Sequence, residues 1–135
     1  MSVLVDSNVF LDVLTNDPIW FKWSFDQLEH AAEERVAINP IIYAELVPAY
    51  KEVSKLKLAL ETMSVDYLNL PYSAALPASR AYMKYKRSGG ESRSPLPDFY
   101  IGAHAQTEKI KLITRDVSRY RTYFPEVELI CPDDV

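Results

Sequence analysis

Four acidic residues carry the chemistry this chain offers: Asp6, Glu45, Asp98 and Asp116. Asp6 directly follows the β-branched run Val3-Leu4-Val5, and Asp116 stands two residues after Thr114, which ends Lys111-Leu112-Ile113. Both runs read as buried strands, and in open parallel α/β sheets ligands bind beyond the carboxyl ends of the strands. Asp98 follows Leu96-Pro97 and opens a helix, whose N-terminus tolerates negative charge. Glu45 lies four residues after Ile41, three after Ile42 and four before Ala49, so helical spacing sets it on an apolar, sheet-facing side where a lone glutamate is costly. Singly, each has a plain reading: Asp6 and Asp116 as helix caps, Asp98 as first-turn charge, Glu45 satisfied by an arginine. Jointly, a parallel α/β fold gathers all four in one place. Like charges about 4 Å apart repel by about 4 kcal/mol at an effective dielectric near 20. Such a cluster persists only when protons or metal ions neutralise it, and oxygen-only ligands favour Mg²⁺ or Mn²⁺ over zinc.

The elements that must position these acids are legible as an alternation. Residues 1–5 read as a strand ended by the capping cluster Asp6-Ser7-Asn8, and Val9, Phe10, Val13 and Leu14 then recur at helical spacing. Asp17-Pro18 reads as a cap followed by proline in the first turn of a long helix from Ile19 to about Glu34. Val36–Ile38 is a short strand, and Asn39-Pro40 starts the helix that carries Glu45. Further helices are expected over 54–63, from about Ser73 to Arg87 with a stop at Gly89-Gly90, and from Asp98 to about Thr107; Pro95 and Pro97 punctuate a loop. Residues 65–70 are ambiguous, 111–114 a strand and 127–130 the last one. Strands alternating with helices specify a parallel sheet with helices on both faces.

Length and composition set the frame. The 135 residues fit one domain, 1–135, with no repeat, no low-complexity tract and no linker. Hydrophobic residues make up 48% and charged residues 25%, which excludes disorder, and the longest apolar runs fall far short of the ~20 residues a membrane-spanning helix needs. Asp6 so close to Met1 leaves no signal peptide, and a single cysteine, Cys131, read as a small buried residue, fits a reducing cytoplasm. The net charge of −4 argues against a generic nucleic-acid binder. Removing the four acids brings it to zero, however, so a phosphate-rich substrate is not excluded. His30 and His104 lack partners for nucleophilic catalysis, His104 reading as packing, and there is no phosphate-binding glycine loop, GxSxG or CxxC.

The bases are unevenly spread. Residues 80–93 hold Arg80, Lys84, Lys86, Arg87 and Arg93 against Glu91 alone. This segment is the expected surface for a phosphate-rich substrate or a partner, with Tyr82 and Tyr85 read either as base-stacking platforms or as the helix's core face. A second group, Arg115, Arg119 and Arg121 with Tyr120 and Tyr123, flanks Asp116; it is read as contacting the same phosphate-rich substrate, or Arg115 as pairing with a partner's acids. Asp12 reads as a solvated helix position or an outer support of the acids, and Asp133 and Asp134 as a solvated tail. The stretch Ile19 to Phe25 is apolar on more than one helix side, which means either a partner surface or a helix wedged in the core.

Val5-Asp6-Ser7-Asn8, Glu45 in the third helix, the run from Pro97-Asp98 to Ala105, and Leu112-Ile113-Thr114-Arg115-Asp116 resemble, in order and spacing, the motifs of PIN-domain nucleases. The resemblance is to the VapC-type toxins of toxin–antitoxin pairs in particular and covers essentially the whole chain. It implies a three-layer α/β fold with a five-stranded parallel sheet flanked by helices. It also implies an Mg²⁺- or Mn²⁺-dependent endoribonuclease, usually a homodimer, held inactive by a cognate antitoxin. Asp6, Glu45, Asp98 and Asp116 match the family's acidic quartet, and Asn8 and Thr114 the polar residues that support it. On this reading Asp6 and Asp98 bind the ion most directly, while Glu45 and Asp116 complete its surroundings, hold a second ion or orient the attacking water. Two alternatives stand beside it. A receiver-like phosphoacceptor would need an aspartate after its middle strand, where Asn39-Pro40 stands; a non-catalytic PIN-like module would not need four acids.

Overall fold

The computed structural model describes residues 2–90 and 96–132. Arg93, Pro95, Asp133 and Asp134 lie outside the described residues.

In chain order the elements are β1 (Ser2–Val5), α1 (Ser7–Leu14), α2 (Phe21–Ala31), β2 (Arg35–Ile38), α3 (Pro40–Leu46), α4 (Val53–Thr62), β3 (Asp66–Tyr67), α5 (Ala75–Arg87), α6 (Leu96–Glu108), β4 (Lys111–Ile113), α7 (Val117–Tyr123) and β5 (Leu129–Ile130). The five strands form one parallel sheet in the order β3-β2-β1-β4-β5. The chain builds outward from β1 to β3, then crosses back to lay β4 on the other side of β1. Right-handed crossovers therefore put α1–α4 on one face and α5–α7 on the other. They also create a topological switch point between the carboxyl ends of β1 and β4. Register fixes what stands there: Val5 pairs with Ile113, and the Asp6 amide donates to the Ile113 carbonyl at 2.9 Å, so Asp6 and Thr114 leave the sheet side by side.

The strand interiors are buried on both faces, as expected for short β-branched runs between helices: Val3, Leu4, Val5, Val36, Ala37, Ile38, Leu112 and Ile113. Phe10, Ile42, Leu46, Leu56, Leu60, Phe99 and Phe124 close the core around them. At Gly102 a Cβ would come within 2.4 Å of the Phe124 ring, so the glycine lets α6 lie directly on that ring.

Several boundaries differ from expectation. The long helix begins at Phe21 rather than Ile19, because the Asp17 carboxylate accepts from the amides of Ile19 and Trp20 and closes a separate turn before it. Pro97 lies inside the first turn of α6, not in a loop. Residues 65–70 contain only the two-residue strand β3, and the last strand is Leu129–Ile130. The α5 segment opens with a 3₁₀ turn, Tyr72–Ala74, and stops as expected: Gly89 takes φ +84°, and at Gly90 a Cβ would stand 2.3 Å from the Tyr85 ring. Cys131 is half-buried beside Arg121 rather than in the core. No helix among the described residues is long and apolar enough to cross a membrane.

Candidate active site

Asp6 is the centre of the switch point. As N-cap of α1 it accepts from the Ser7 amide through Oδ1 at 2.8 Å, so its capping role is real. Its other oxygen is used differently. Oδ2 accepts from Thr114 Oγ1 at 2.8 Å, Tyr120 Oη at 3.2 Å and Asn8 Nδ2 at 3.4 Å. Thr114 Oγ1 in turn accepts from the Asp116 amide at 3.0 Å and from Asn8 Nδ2, while Asn8 Oδ1 accepts from the Arg115 amide. Asn8 and Thr114 thus lock the turns after β1 and β4 to one another and to Asp6.

Four donors around one carboxyl favour its ionised form, yet the group behaves otherwise. Burial raises the Asp6 pKa to about 7; the Thr114 hydrogen bond opposes this, and the nearby Asp98 and Glu45 add to it. Glu45 and Asp98 are themselves raised, in both cases chiefly by burial. Asp98 adds to the rise at Glu45; Arg119 opposes the rise at Asp98 and Asp116 adds to it. The four predicted acids are therefore electrostatically coupled across β1, α3, α6 and the β4–α7 turn. Asp116 caps α7 by position but makes no side-chain cap hydrogen bond, so its carboxylate is not spent on the helix end. Glu45 is half-buried on α3, beside the fully buried Leu46; what holds it is the Ser7 hydroxyl, 3.0 Å from Oε1, not an arginine, and Ala49 belongs to a separate 3₁₀ turn. Among the described residues no three His, Cys, Asp or Glu side chains form a ready-made ligand shell. Asp98 is turned to Arg119 and Glu45 to Ser7.

The arginine and tyrosine group after β4 is sorted by the fold. Arg115 is paired within the chain: its Nε and Nη2 take both oxygens of Asp12 at 2.5 and 2.8 Å, and its guanidinium lies 5.1 Å from the Trp20 ring centroid. Asp12 is accordingly buried, with Ser24 Oγ at 2.6 Å, and is not a solvated position. Arg119 reaches Asp98, Tyr120 reaches Asp6, and Tyr123 packs with Tyr85 and Phe99. Ser7, Arg119 and Tyr120 are site residues that strand-end reasoning on acids alone did not assign. Their signal was present in the spacing: Arg119 and Tyr120 lie three and four residues after Asp116, one helical turn away.

On α5, Tyr82 and Tyr85 face inward onto Phe99, so the core reading holds for them. Arg80, Lys84 and Arg87 line an open groove with Ser79 and Met83 on the outer side, while Lys86 is exposed but not part of that groove. Ile19 is 77% exposed and Phe25 42%, so the aromatic stretch is a surface and not a wedge. Phe25 also lines a cavity of about 650 Å³ with Val13, Leu28, Val36 and Met63, at the amino end of β2 and away from the acids. His104 is buried in α6, its Nδ1 3.0 Å from Asn39 Nδ2, and burial lowers its pKa.

Asp6 is thus a buried carboxyl at a sheet switch point, coupled directly to Glu45 and Asp98 and through Asp98 to Asp116. Residues 3–125 match the PIN domain, and the chain belongs to that family, whose members are in general nucleases that use divalent metal ions. No curated protein matches the sequence significantly. Solved structures share the fold at low identity. VapBC2 from Rickettsia felis, bound to a DNA fragment from their promoter, is 20% identical with a TM-score of 0.74, covering 98% of this chain and 100% of that one. VapBC-1 from nontypeable Haemophilus influenzae is 19% identical with a TM-score of 0.72, covering 97% and 98%. FitAcB from Neisseria gonorrhoeae is 23% identical with a TM-score of 0.70, covering all of both chains. Family membership displaces the receiver-like alternative.

Proposed function

We propose that the protein is an Mg²⁺- or Mn²⁺-dependent endoribonuclease, the toxin of a toxin–antitoxin pair, acting on RNA in the cytoplasm as a homodimer and silenced by a cognate antitoxin. The observation that carries this reading is Asp6: buried, surrounded by hydrogen-bond donors suited to an anion, and coupled to Glu45 and Asp98 without a cation of its own. A hard divalent cation supplies the missing charge, and the donors on offer are all carboxylate oxygens. Asp6 and Asp98 would hold the ion, with Asp116 and Glu45 completing its surroundings, once Asp98 and Glu45 turn from Arg119 and Ser7, the partners they now have. A bound ion supplies an acidified water for in-line attack on phosphorus and stabilises the departing 3′ oxygen.

The chain's own residues do the rest. Thr114, Asn8 and Tyr120 fix the Asp6 carboxylate, as hydrogen-bonding partners of ligands do. Glu45, whose pKa burial raises, would accept a proton from the attacking water. Arg80, Lys84 and Arg87 have no acidic partner among the described residues and would neutralise backbone phosphates along their shared groove; Lys86, exposed outside it, and Arg93 belong to the same stretch of sequence. The exposed Ile19–Phe25 surface is the proposed contact for the antitoxin or the second protomer; neighbours of this fold carry names of toxin–antitoxin complexes, among them one from Klebsiella pneumoniae. The test is cleavage of a mixed-sequence single-stranded RNA with Mg²⁺, with Mn²⁺ and with chelator. Cleavage only with a divalent ion, lost in Asp98→Ala, is the expected result. Cleavage that survives chelator, or an Asp98→Ala protein that cuts at the wild-type rate, would overturn it.

A further inference from the structure

Among the described residues, Arg119 is the cation coupled to this acidic face. Its Nη1 donates to Asp98 Oδ2 at 2.5 Å, and its guanidinium lies 5.9 and 6.0 Å from the ring centroids of Tyr85 and Phe99. The other two arginines of the same segment are committed elsewhere, Arg115 to Asp12 and Arg121 beside Cys131. Three features separate this pair from an ordinary ion pair. First, it sits at the mouth of the site: the two side chains are 30% and 25% exposed, so water and ligand reach them. Second, only Nη1 is engaged. A guanidinium has five N–H donors in a planar fork suited to phosphate, and the remaining ones have no partner among the described residues. Third, the rings of Tyr85 and Phe99 flank the group within cation–π range, which limits where it can move.

Asp98 cannot serve Arg119 and a divalent ion equally. Once the carboxylate turns to an ion, the guanidinium keeps its ring contacts but loses part of its counter-charge, beside the point where a phosphate bound to that ion must lie. We propose that Arg119 is a catalytic residue, whose guanidinium passes from Asp98 to the non-bridging oxygens of the scissile phosphodiester and stabilises the charge they gain in the transition state. The proposal rests on the nuclease reading above. In the step it assists, a water oxygen bonds to phosphorus, the bond from phosphorus to the 3′ oxygen breaks, Glu45 takes the proton released by the water and later returns it to solvent, and the leaving oxygen takes its proton from solvent. Arg119 keeps its own proton throughout, as arginine does in proteins. A donor fixed before reaction and aimed at developing charge is the arrangement that lowers a barrier most.

The test uses the full chain, a fluorescein-labelled mixed-sequence single-stranded RNA, and wild type, Arg119→Ala, Arg119→Gln and Arg119→Lys. Single-turnover cleavage at saturating Mn²⁺ is measured beside Mn²⁺ affinity by calorimetry. The expected result is a loss of about 10²–10³-fold in rate for Arg119→Ala. Mn²⁺ binding should be as tight or tighter, because Asp98 is released, and Arg119→Lys should recover part of the rate. Wild-type cleavage with tighter Mn²⁺ binding would make Arg119 only a counter-ion of Asp98 and overturn the proposal. Loss of cleavage together with Mn²⁺ binding would also overturn it, since Arg119 would then act by placing Asp98. Melting curves identify a variant that fails to fold. Arg119→Gln, which can still donate to Asp98, and Arg119→Lys then decide between the same outcomes. If wild type itself does not cut RNA with Mn²⁺, the nuclease reading falls and this proposal with it; if wild type and Arg119→Ala cut equally, only this proposal falls.

Discussion

Two aspartates of nearly equal burial stand at either end of α1's first two turns, and they are treated in opposite ways. Asp12 is 3% exposed and receives a guanidinium on both oxygens, plus the Ser24 hydroxyl. Asp6 is 4% exposed and receives neutral donors only, with Asp98 and Glu45 as its charged neighbours. The first is a matched buried ion pair that ties α1 and α2 to the turn after β4. The second is a buried acid whose charge the chain leaves unbalanced. Burial is the same in both, so it does not mark function; the missing counter-charge does. The far end of the sheet makes the same point with exposed groups, where Arg35 takes both oxygens of Asp66 and Lys111 stands between Glu34 and Glu128.

The comparison breaks most decisively at Asp6. Asp6→Asn should lower RNA cleavage by about 10³-fold or more, because a neutral amide cannot hold the cation. It should nonetheless raise stability in chelator at pH 8 by about 1–3 kcal/mol, since it removes a charge the fold does not balance. A variant that lost activity and stability together would show that Asp6 is structural, like Asp12. The pH dependence sharpens this further. The unfolded Asp6 releases its proton near pH 4, and the folded one near pH 7. Between those values the folded chain holds the extra proton, so stability in chelator should fall as pH rises, by up to about 1.4 kcal/mol per unit from this group. Glu45 and Asp98, also raised, act in the same direction. Melting from pH 4.5 to 8 should show that decline in wild type and much less of it in Asp6→Asn. Mg²⁺ at pH 8 should restore the loss, and near pH 6, where the folded Asp6 still holds its proton, Mg²⁺ binding should release protons measurable by calorimetry in buffers of different ionisation enthalpy.

Asp12 supplies the opposite sign at smaller size. Asp12→Asn leaves Arg115 without its counter-charge and should cost about 2–3 kcal/mol; the quarter of the Arg115 side chain that water reaches keeps the cost below that of a fully buried pair. A paired Asp12→Leu and Arg115→Met replacement should recover much of it. Denaturant midpoints of the single and double variants measure both. A stable Asp12→Asn protein would mean that Arg115 has another use.

What could be read from the chain divides along the same line. Strands and switch point were legible because β-branched runs ending in Asp6 and Thr114 obey local periodicity, and so were Asp6, Asp98 and Asp116, which follow or open regular elements. Glu45 was legible only in part: its place on α3 follows from the spacing, but its partner, the Ser7 hydroxyl, lies 38 residues away in the sequence. Asp12 and Arg115 were misread for a deeper reason: they are 103 residues apart, and nothing in either neighbourhood announces that the fold brings them together. Asp17 displaced a helix start by two residues through one side chain and two amides, a choice that propensity alone does not make.

A third class of charge, neither matched nor buried, lies on the outer face of α5, and it gives the smallest and most diagnostic effect. Arg80, Lys84 and Arg87 line one open groove, whereas Lys86 is exposed outside it. If the groove carries the RNA backbone, each of the three contributes about one released counterion, or a slope of about 0.7 in log affinity against log salt for a single strand. Lys84→Ala should therefore weaken binding several-fold at low salt and flatten that slope by about 0.7, and Lys86→Ala should do neither. None of these residues touches the acids, so the cleavage rate of bound RNA should be unchanged in both. Fluorescence anisotropy of a labelled mixed-sequence RNA in Ca²⁺, across a salt series, reads the difference. Equal slopes for Lys84→Ala and Lys86→Ala would mean that the groove is not the track, and that charge on α5 acts only through the net field of the surface.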